Sequence, residues 1–277
     1  MKPVTEADQA PALKDLVIVI KGAGEMATGL ACRLFRANFR RLVMLETKMP
    51  MAVRRCVSFC EAVYDGAVTV EGIIARRAEM PSDIPRIWDA GEVPVLVDPE
   101  WAVISHLAPQ VVIDAIIAKK NLGTTMAEAP LVIGLGPGFC AGKDVHCVIE
   151  TNRGHDLGRI IEKGTAQADT GIPGTICGVS AERVLRAPCD GLFDAVCDIG
   201  DVVTKDQILG HVNQMPVTAP IDGMIRGLIR NHTRVPARCK IGDIDPRGAG
   251  ASHDTISEKA RAVGGAVLEA ILNRYNR

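Results

Sequence analysis

The chain has 277 residues, 47% of them hydrophobic and 23% charged, with 32 Lys and Arg against 33 Asp and Glu. That composition fits a core-forming globular protein of one large domain or two ordinary ones. A net charge of −1 and only nine aromatic residues (two Trp, two Tyr, five Phe) argue against a surface for nucleic acid. No apolar run reaches the ~18–20 residues of a membrane span. Residues 1–14 lack the basic and apolar regions of a secretory signal and read as a polar tail. Nine scattered cysteines, an odd number, point to reduced thiols in a cytoplasm rather than to a disulfide framework.

The first patterned stretch is Val17-Ile18-Val19-Ile20-Lys21-Gly22-Ala23-Gly24-Glu25-Met26-Ala27. A buried β-branched strand runs into Gly-x-Gly-x-x-Ala and then into a helical pattern over 25–38, with Asn38 as the C-cap. In a dinucleotide turn Gly22 makes the bend, Gly24 lets backbone approach a pyrophosphate, and Ala27 packs helix on strand. Glu25 and Met26 open the helix, whose N-terminus offers N–H groups and a positive dipole end to an anion. Leu42–Leu45 is the next strand, and Glu46 at its end stands where a carboxylate takes the ribose hydroxyls of NAD. The plainer reading is a polar strand end.

Arg54-Arg55 beyond that point would pair with a phosphate or carboxylate, or form a solvated surface pair. Cys56 and Cys60, at i and i+4, have poor zinc spacing and read as small buried hydrophobes. Val68–Gly72, Val93–Val97 and Val111–Ile117 are further strands, with a short helix over 82–90. Strands alternating with helical stretches predict an α/β parallel sheet. Leu131–Gly138, with Gly136 and Gly138, is a second strand-to-glycine junction. It is not a phosphate-binding P-loop, because Pro137 and Asp144 stand where Gly and Ser or Thr are required. It remains a candidate ligand-lining turn, with the thiol of Cys140 beside it. Val145–Glu150 leads into Glu150, Arg153 and His155, the densest polar cluster, suited to acid–base work or anion binding; a lone His is more often structural. Residues 170–174 form a turn-rich exit.

The remainder repeats. Ala187-Pro188-Cys189-Asp190-Gly191 recurs as Ala219-Pro220-Ile221-Asp222-Gly223, 32 residues on, with Leu209 falling on Ile241 and Gly210 on Gly242. Duplicated short strands with tight turns predict two interlocking β-halves. These residues resemble the barrel-sandwich of biotinyl/lipoyl domains. The hairpin Asn213–Pro216 holds no lysine, so no biotin or lipoyl attachment is expected. Asp243 and Asp245 would hold a hard cation or, more simply, a local ion pair with Arg247; no metal site is assigned. Residues 254–275 read as an amphipathic helix returning to the first domain. The expected organisation is a tail at 1–14, a Rossmann-like nucleotide-binding parallel-sheet domain at 15–180, a β module at 181–250, and a C-terminal helical segment at 251–277.

Several stretches together resemble the YqeB-type proteins of selenium-dependent molybdenum hydroxylase systems: Lys21–Gly29, Arg54-Arg55 with Glu61–Tyr64, Gly134–Gly142 with Val148–Gly158, and Ala187–Gly248. The resemblance implies a cytoplasmic accessory factor in maturation of a molybdenum hydroxylase, with that hydroxylase as partner. Such a factor would bind a nucleotide or molybdopterin-type ligand at the sheet edge. Two alternatives stand beside it. One is an NAD(P)-dependent oxidoreductase on a small substrate, with His155 or Lys119/Lys120 as proton donor. The other is a non-enzymatic scaffold docking a hydroxylase. Oligomeric state is left open.

Overall fold

The structure, a computed structural model, describes residues 12–171 and 174–276. Residues 1–11 of the expected tail, 172 and 173 of the exit turn, and 277 lie outside the described residues. In chain order the first part runs β1 (Val17–Lys21), α1 (Glu25–Arg36), β2 (Arg41–Glu46), α2 (Ala62–Asp65), β3 (Ala67–Val70), β4 (Ile73–Ala78) and α3 (Ile84–Asp89). It continues with β5 (Val93–Val97), α4 (Val103–Leu107), β6 (Val111–Asp114), β7 (Leu131–Leu135), β8 (Cys140–Ala141), β9 (Cys147–Ile149), β10 (Ile160–Ile161) and β11 (Gly164–Thr165). Nine of these strands form one sheet in the order β10-β9-β7-β6-β1-β2-β5-β4-β3.

The expectation of a Rossmann-like parallel sheet is corrected by this topology. The sheet is mixed: β3 pairs antiparallel with β4 at one edge and β10 antiparallel with β9 at the other. Of the connections between its strands, α1 alone is a helix of more than six residues. The reason lies in the intervening sequences. Segments such as 47–61 and 115–130 are broken by Gly, Pro and charged residues, lack a 3.6 period, and fold into loops with 3₁₀ turns at Arg55–Val57, Phe59–Glu61 and Met126–Glu128. The C-cap of α1 is Ala37 rather than Asn38, which follows it in the left-handed region at φ 68°.

The second part contains β12 (Val184–Arg186), β13 (Gly191–Ala195), β14 (Val202–Val203), β15 (Ile208–Val212), β16 (Met215–Thr218), β17 (Gly223–Leu228), β18 (Thr233–Val235) and β19 (Lys240–Asp245), followed by α5 (Glu258–Tyr275). Two four-stranded antiparallel sheets, β12-β19-β17-β14 and β16-β15-β13-β18, enclose a core that includes Phe193, Leu209, Ile225, Ile241 and Ile244. The 32-residue repeat sets β13 against β17, β14 against β18 and β15 against β19. Each half lends its second strand to the other: β14 pairs with β17, and β18 with β13. The expected appended module of biotinyl/lipoyl type is corrected as well, because this part is fused to the large sheet. Val53 packs against its core, Arg55 donates to the Leu228 carbonyl and to Asp198, both at 2.8 Å, and Arg230 pairs with Glu61 and Asp65.

Helix α5 crosses back to α1 through small residues. A Cβ on Gly29 would stand 2.6 Å from the Ala260 Cβ, so the two helices meet at close range. Both helices cover one face of the large sheet with Ile18, Ile20, Leu42 and Met44; α3, α4 and Phe139 cover the other with Val19, Val43 and Leu45. Among the described residues no helix is long and apolar enough to cross a membrane.

Lys21, at the end of β1, is fully buried. Its ammonium pairs with Glu128 at 2.7 Å, donates to Thr124 Oγ1 at 2.8 Å and sits 3.5 Å from the Trp101 ring centroid; Thr124 in turn donates to Asp114 at 2.7 Å. This network pins the 115–128 loop over the sheet's carboxyl edge. The loop runs so close to the second glycine turn that a Cβ at Gly138, itself at φ 109°, would stand 2.6 Å from the Lys120 backbone. Gly138→Ala is therefore expected to destabilise the fold by about 1–3 kcal/mol. Gly24→Ala, with nothing within 4 Å of its Cβ position, should cost less than about 1 kcal/mol. Urea unfolding of the two variants checks this, and equal losses would refute the packing role of Gly138.

Candidate functional site

The open end of α1 is the starting point. Gly24 is its N-cap, and no side chain caps the helix, so its first amides face outward where negative charge is favoured. The preceding turn is filled differently from the sequence expectation. Glu46 spends its carboxylate on backbone: Oε2 accepts from Ala23 N–H at 2.9 Å and Oε1 from Thr47 N–H at 2.8 Å. A Cβ on Gly22 would meet the Ile116 backbone at 3.3 Å, and one on Gly136 would meet Thr151 Oγ1 at 2.5 Å. At Gly22, Gly136 and Gly138, glycine accommodates the protein's own loops. Ala27 is buried in the core.

Gly24, Glu25, Met26 and Arg54 line a cleft of about 370 Å³ between the start of α1, the second part and the start of α5. Its walls carry six basic side chains, Arg54, Arg153, Arg183, Arg226, Lys240 and Lys259, and two acidic ones, Glu25 and Asp243. Arg54 is 5% exposed. It pairs with Glu25 at 3.4 Å and donates to the carbonyls of His253 and Thr255. Burial pulls its guanidinium below the usual value, with Arg226 adding to this and Glu25 opposing it; an arginine so placed still keeps its charge near neutral pH. Arg183, also buried, pairs with Asp243 at 2.7 Å, and Lys240 approaches the same carboxylate at 3.6 Å. Arg226 lies 4.0 Å from Asp245, whose main partner is Arg247 at 2.6 Å.

These pairings leave a remainder. The Nε atoms of Arg54, Arg183 and Arg226 are buried and have no hydrogen-bond partner among the described residues. A buried guanidinium N–H without an acceptor costs about 1–3 kcal/mol or more, and all three belong to side chains of this cleft, the Arg226 Nε having Asp245 Oδ2 4.0 Å away. The start of α5 adds Ser257, whose hydroxyl accepts from Ala260 N–H as a true N-cap.

The other expected site residues are dispersed. Glu150 is buried and fully engaged, accepting backbone N–H bonds from Thr151, Asn152 and Gln167, each at 2.7 Å. It fixes the loop and has no role as a base there. Arg153 reaches the cleft and pairs with Glu258 at 2.7 Å, whereas His155 is exposed and makes no hydrogen bond or ion pair with the described residues. Cys140 lies on β8, outside the cleft. Arg55 is committed to Asp198 and Leu228, and Lys119 to Asp169 at 2.7 Å. Cys56 is exposed while Cys60 is buried, with its thiol pushed well up by burial. Among the described residues no group of three or more His, Cys, Asp or Glu could hold a metal ion. Sequence reasoning missed Arg183, Arg226, Lys240 and Lys259. They lie more than 120 residues beyond Arg54, Arg226 and Lys240 on strands, Arg183 in a 3₁₀ turn and Lys259 on α5, and none sits in a local motif.

The site is thus a cleft rich in basic side chains in a protein built from a mixed sheet and two antiparallel sheets. No family model matches the chain. Over 256 residues, 92% of its length, it is 46% identical to a protein of Escherichia coli (strain K12) called uncharacterized protein YqeB, and it spans about half (47%) of that relative. Over that span the chain is similar to that protein. Solved structures that align with it include an aspartoacylase family protein from Mesorhizobium loti, at 14% identity, covering 82% of this chain and 84% of that one, with a TM-score of 0.28. A succinylglutamate desuccinylase/aspartoacylase from Rhodobacter sphaeroides aligns at 13% identity over 83% and 85%, with a TM-score of 0.27. The ectoine utilization protein EutE (DoeB) from Ruegeria pomeroyi aligns at 13% identity over 83% and 57%, with a TM-score of 0.23. Scores this low assign no fold.

The functional expectation is corrected here. Gly22, Gly136 and Gly138 accommodate the protein's own loops, while Gly24 stays open beside a cavity of about 340 Å³; the NAD(P) oxidoreductase reading is withdrawn, because the Glu46 carboxylate meant for a ribose is taken up by the Ala23 and Thr47 amides. The name of the Escherichia coli relative states no activity. The maturation-factor and hydroxylase-scaffold readings are withdrawn with it.

The wall of the cleft has a pH dependence. Asp245 is held below the ordinary carboxylate range, chiefly by hydrogen bonds from Arg247. A depressed carboxylate contributes stability above its unfolded pKa and loses it as pH falls through the lower folded value. Asp245→Asn should therefore lower stability at pH 7 and flatten the acid limb of a stability-versus-pH curve. Parallel acid limbs for wild type and variant would contradict this.

Proposed function

We propose that the protein binds a small molecule carrying two or more negative charges, a phosphate ester or a di- or tricarboxylate, in the cleft between α1, the β12–β19 sheet and α5. The observation that carries this reading is the convergence of four arginines and two lysines, Arg54, Arg153, Arg183, Arg226, Lys240 and Lys259, on the walls of one cleft. Six basic residues against two acidic ones give the walls a surplus of positive charge. A planar guanidinium suits the paired oxygens of a carboxylate or phosphate. The uncapped start of α1 faces the same space and favours an anion there by about 0.3–1 kcal/mol at low ionic strength. Because the cleft joins elements from both parts of the chain, a bound anion neutralises charges that the fold holds close together.

Titration calorimetry with inorganic phosphate, 3-phosphoglycerate and citrate tests the proposal. Binding should weaken with added salt, as attraction between partly exposed charges is screened. Arg226→Gln is the variant of choice, because Asp245 keeps Arg247 as its partner. Loss of one charged hydrogen bond should weaken binding about 10- to 100-fold. Absence of heat with all three anions, or equal affinity in Arg226→Gln, would overturn the reading.

A further inference from the structure

Five of the six basic residues of the cleft approach a carboxylate: Arg54 meets Glu25, Arg153 meets Glu258, Arg183 and Lys240 meet Asp243, and Arg226 approaches Asp245. Lys259 does not. Its ammonium makes no hydrogen bond or ion pair with the described residues. It is half-buried in the first turn of α5, a helix of 18 residues. It lines both the main cleft and a second cavity of about 210 Å³ that shares Arg153 and Gly174.

An ammonium in that place is disfavoured on three counts. It is partly desolvated, Arg153 stands near it, and the positive end of a helix dipole lies under it. Burial is the largest influence and Arg153 the next, and together they lower the Lys259 pKa against the opposing pull of Glu25, Asp169 and Glu150. A lysine desolvated beside another cation is the kind of amine that attacks carbonyls.

We propose that Lys259 is a nucleophilic amine that condenses with the carbonyl of a small anionic aldehyde or 2-oxo acid held in the cleft. The proposal rests on the anion-binding reading above and names its ligand class more narrowly. The Lys259 lone pair forms the C–N bond while the carbonyl π pair moves to oxygen, which takes up a proton. The resulting carbinolamine loses that oxygen as water, its second proton coming from the amine, and the C–O bond gives way to C=N. One amine and one carbonyl yield one imine and one water. No oxidant or reductant enters, and hydrolysis returns both partners. Arg153 and Arg54 would hold the anionic end of the ligand, leaving its carbonyl toward the start of α5.

The full chain is incubated at pH 7 with glyoxylate, 2-oxoglutarate or glyceraldehyde 3-phosphate in the presence of cyanoborohydride, which traps an imine as a stable adduct. Labelled lysines are then located by peptide mass spectrometry. Each unit by which an amine's pKa falls raises its neutral fraction about tenfold at this pH. Lys259 should accordingly label severalfold faster than the exposed Lys143 and Lys163. Citrate or phosphate should slow labelling at Lys259 alone, and Lys259→Arg should abolish it. If wild type binds citrate or phosphate but Lys259 labels no faster than the exposed lysines, or gains no protection, the imine proposal is wrong and the anion reading stands. If wild type binds neither anion, the anion reading fails and takes the imine proposal with it.

Discussion

Arg54 holds a full positive charge in a space almost closed to water, and the arrangement of the whole molecule follows from how that charge is accommodated. Removing such an ion from water costs several kcal/mol even after relaxation. Here the cost is offset by Glu25 on α1 and by the carbonyls of His253 and Thr255 in the approach to α5. One guanidinium thereby ties the middle of the chain to both helices that cover the same face of the sheet. The same residue lines the cleft.

The second part of the chain is drawn into the same logic. Its contacts with the large sheet are carried by arginines: Arg55 reaching Asp198 and Leu228, and Arg230 reaching Glu61 and Asp65 while stacking 4.6 Å over Tyr64. Charged joints of this kind fix relative position with less apolar area than a hydrophobic seam would need. They let the walls of the cleft come from one antiparallel sheet, through Arg226, Lys240 and Asp243, and from the helix starts and loops of the first part and α5.

Much of the secondary structure could be read from local pattern. The buried strands Val17–Lys21, Arg41–Glu46 and Val93–Val97, and the helix Glu25–Arg36 with the left-handed Asn38 after it, follow from period and capping chemistry alone. What misled was the meaning of the glycines. Gly22, Gly136 and Gly138 have the spacing of ligand turns, but a short gap in backbone serves a neighbouring loop as well as a phosphate, and sequence does not say which will occupy it. Glu46 shows the same ambiguity, since a carboxylate at a strand end bonds an amide as readily as a ribose. Arg54 and Arg153 could be named in advance because each sits in a local polar cluster. Arg183, Arg226, Lys240 and Lys259 could not, since only the long return of α5 and the fusion of the two parts bring them to the same place.

The exchange of β14 and β18 between the two repeats has a consequence for the order in which the chain acquires structure. Neither repeat can complete a sheet from its own residues: β13 waits for a strand some 40 residues downstream, and β17 borrows one already made. The pairing that closes one sheet therefore also closes the other. The repeats lack the independence of beads on a string, and a half-built intermediate leaves two open sheet edges. Contacts of such sequence separation raise the contact order and slow the final step. Since Arg183, Arg226 and Lys240 belong to that late-closing region, the cleft is among the last features of the molecule to come into being.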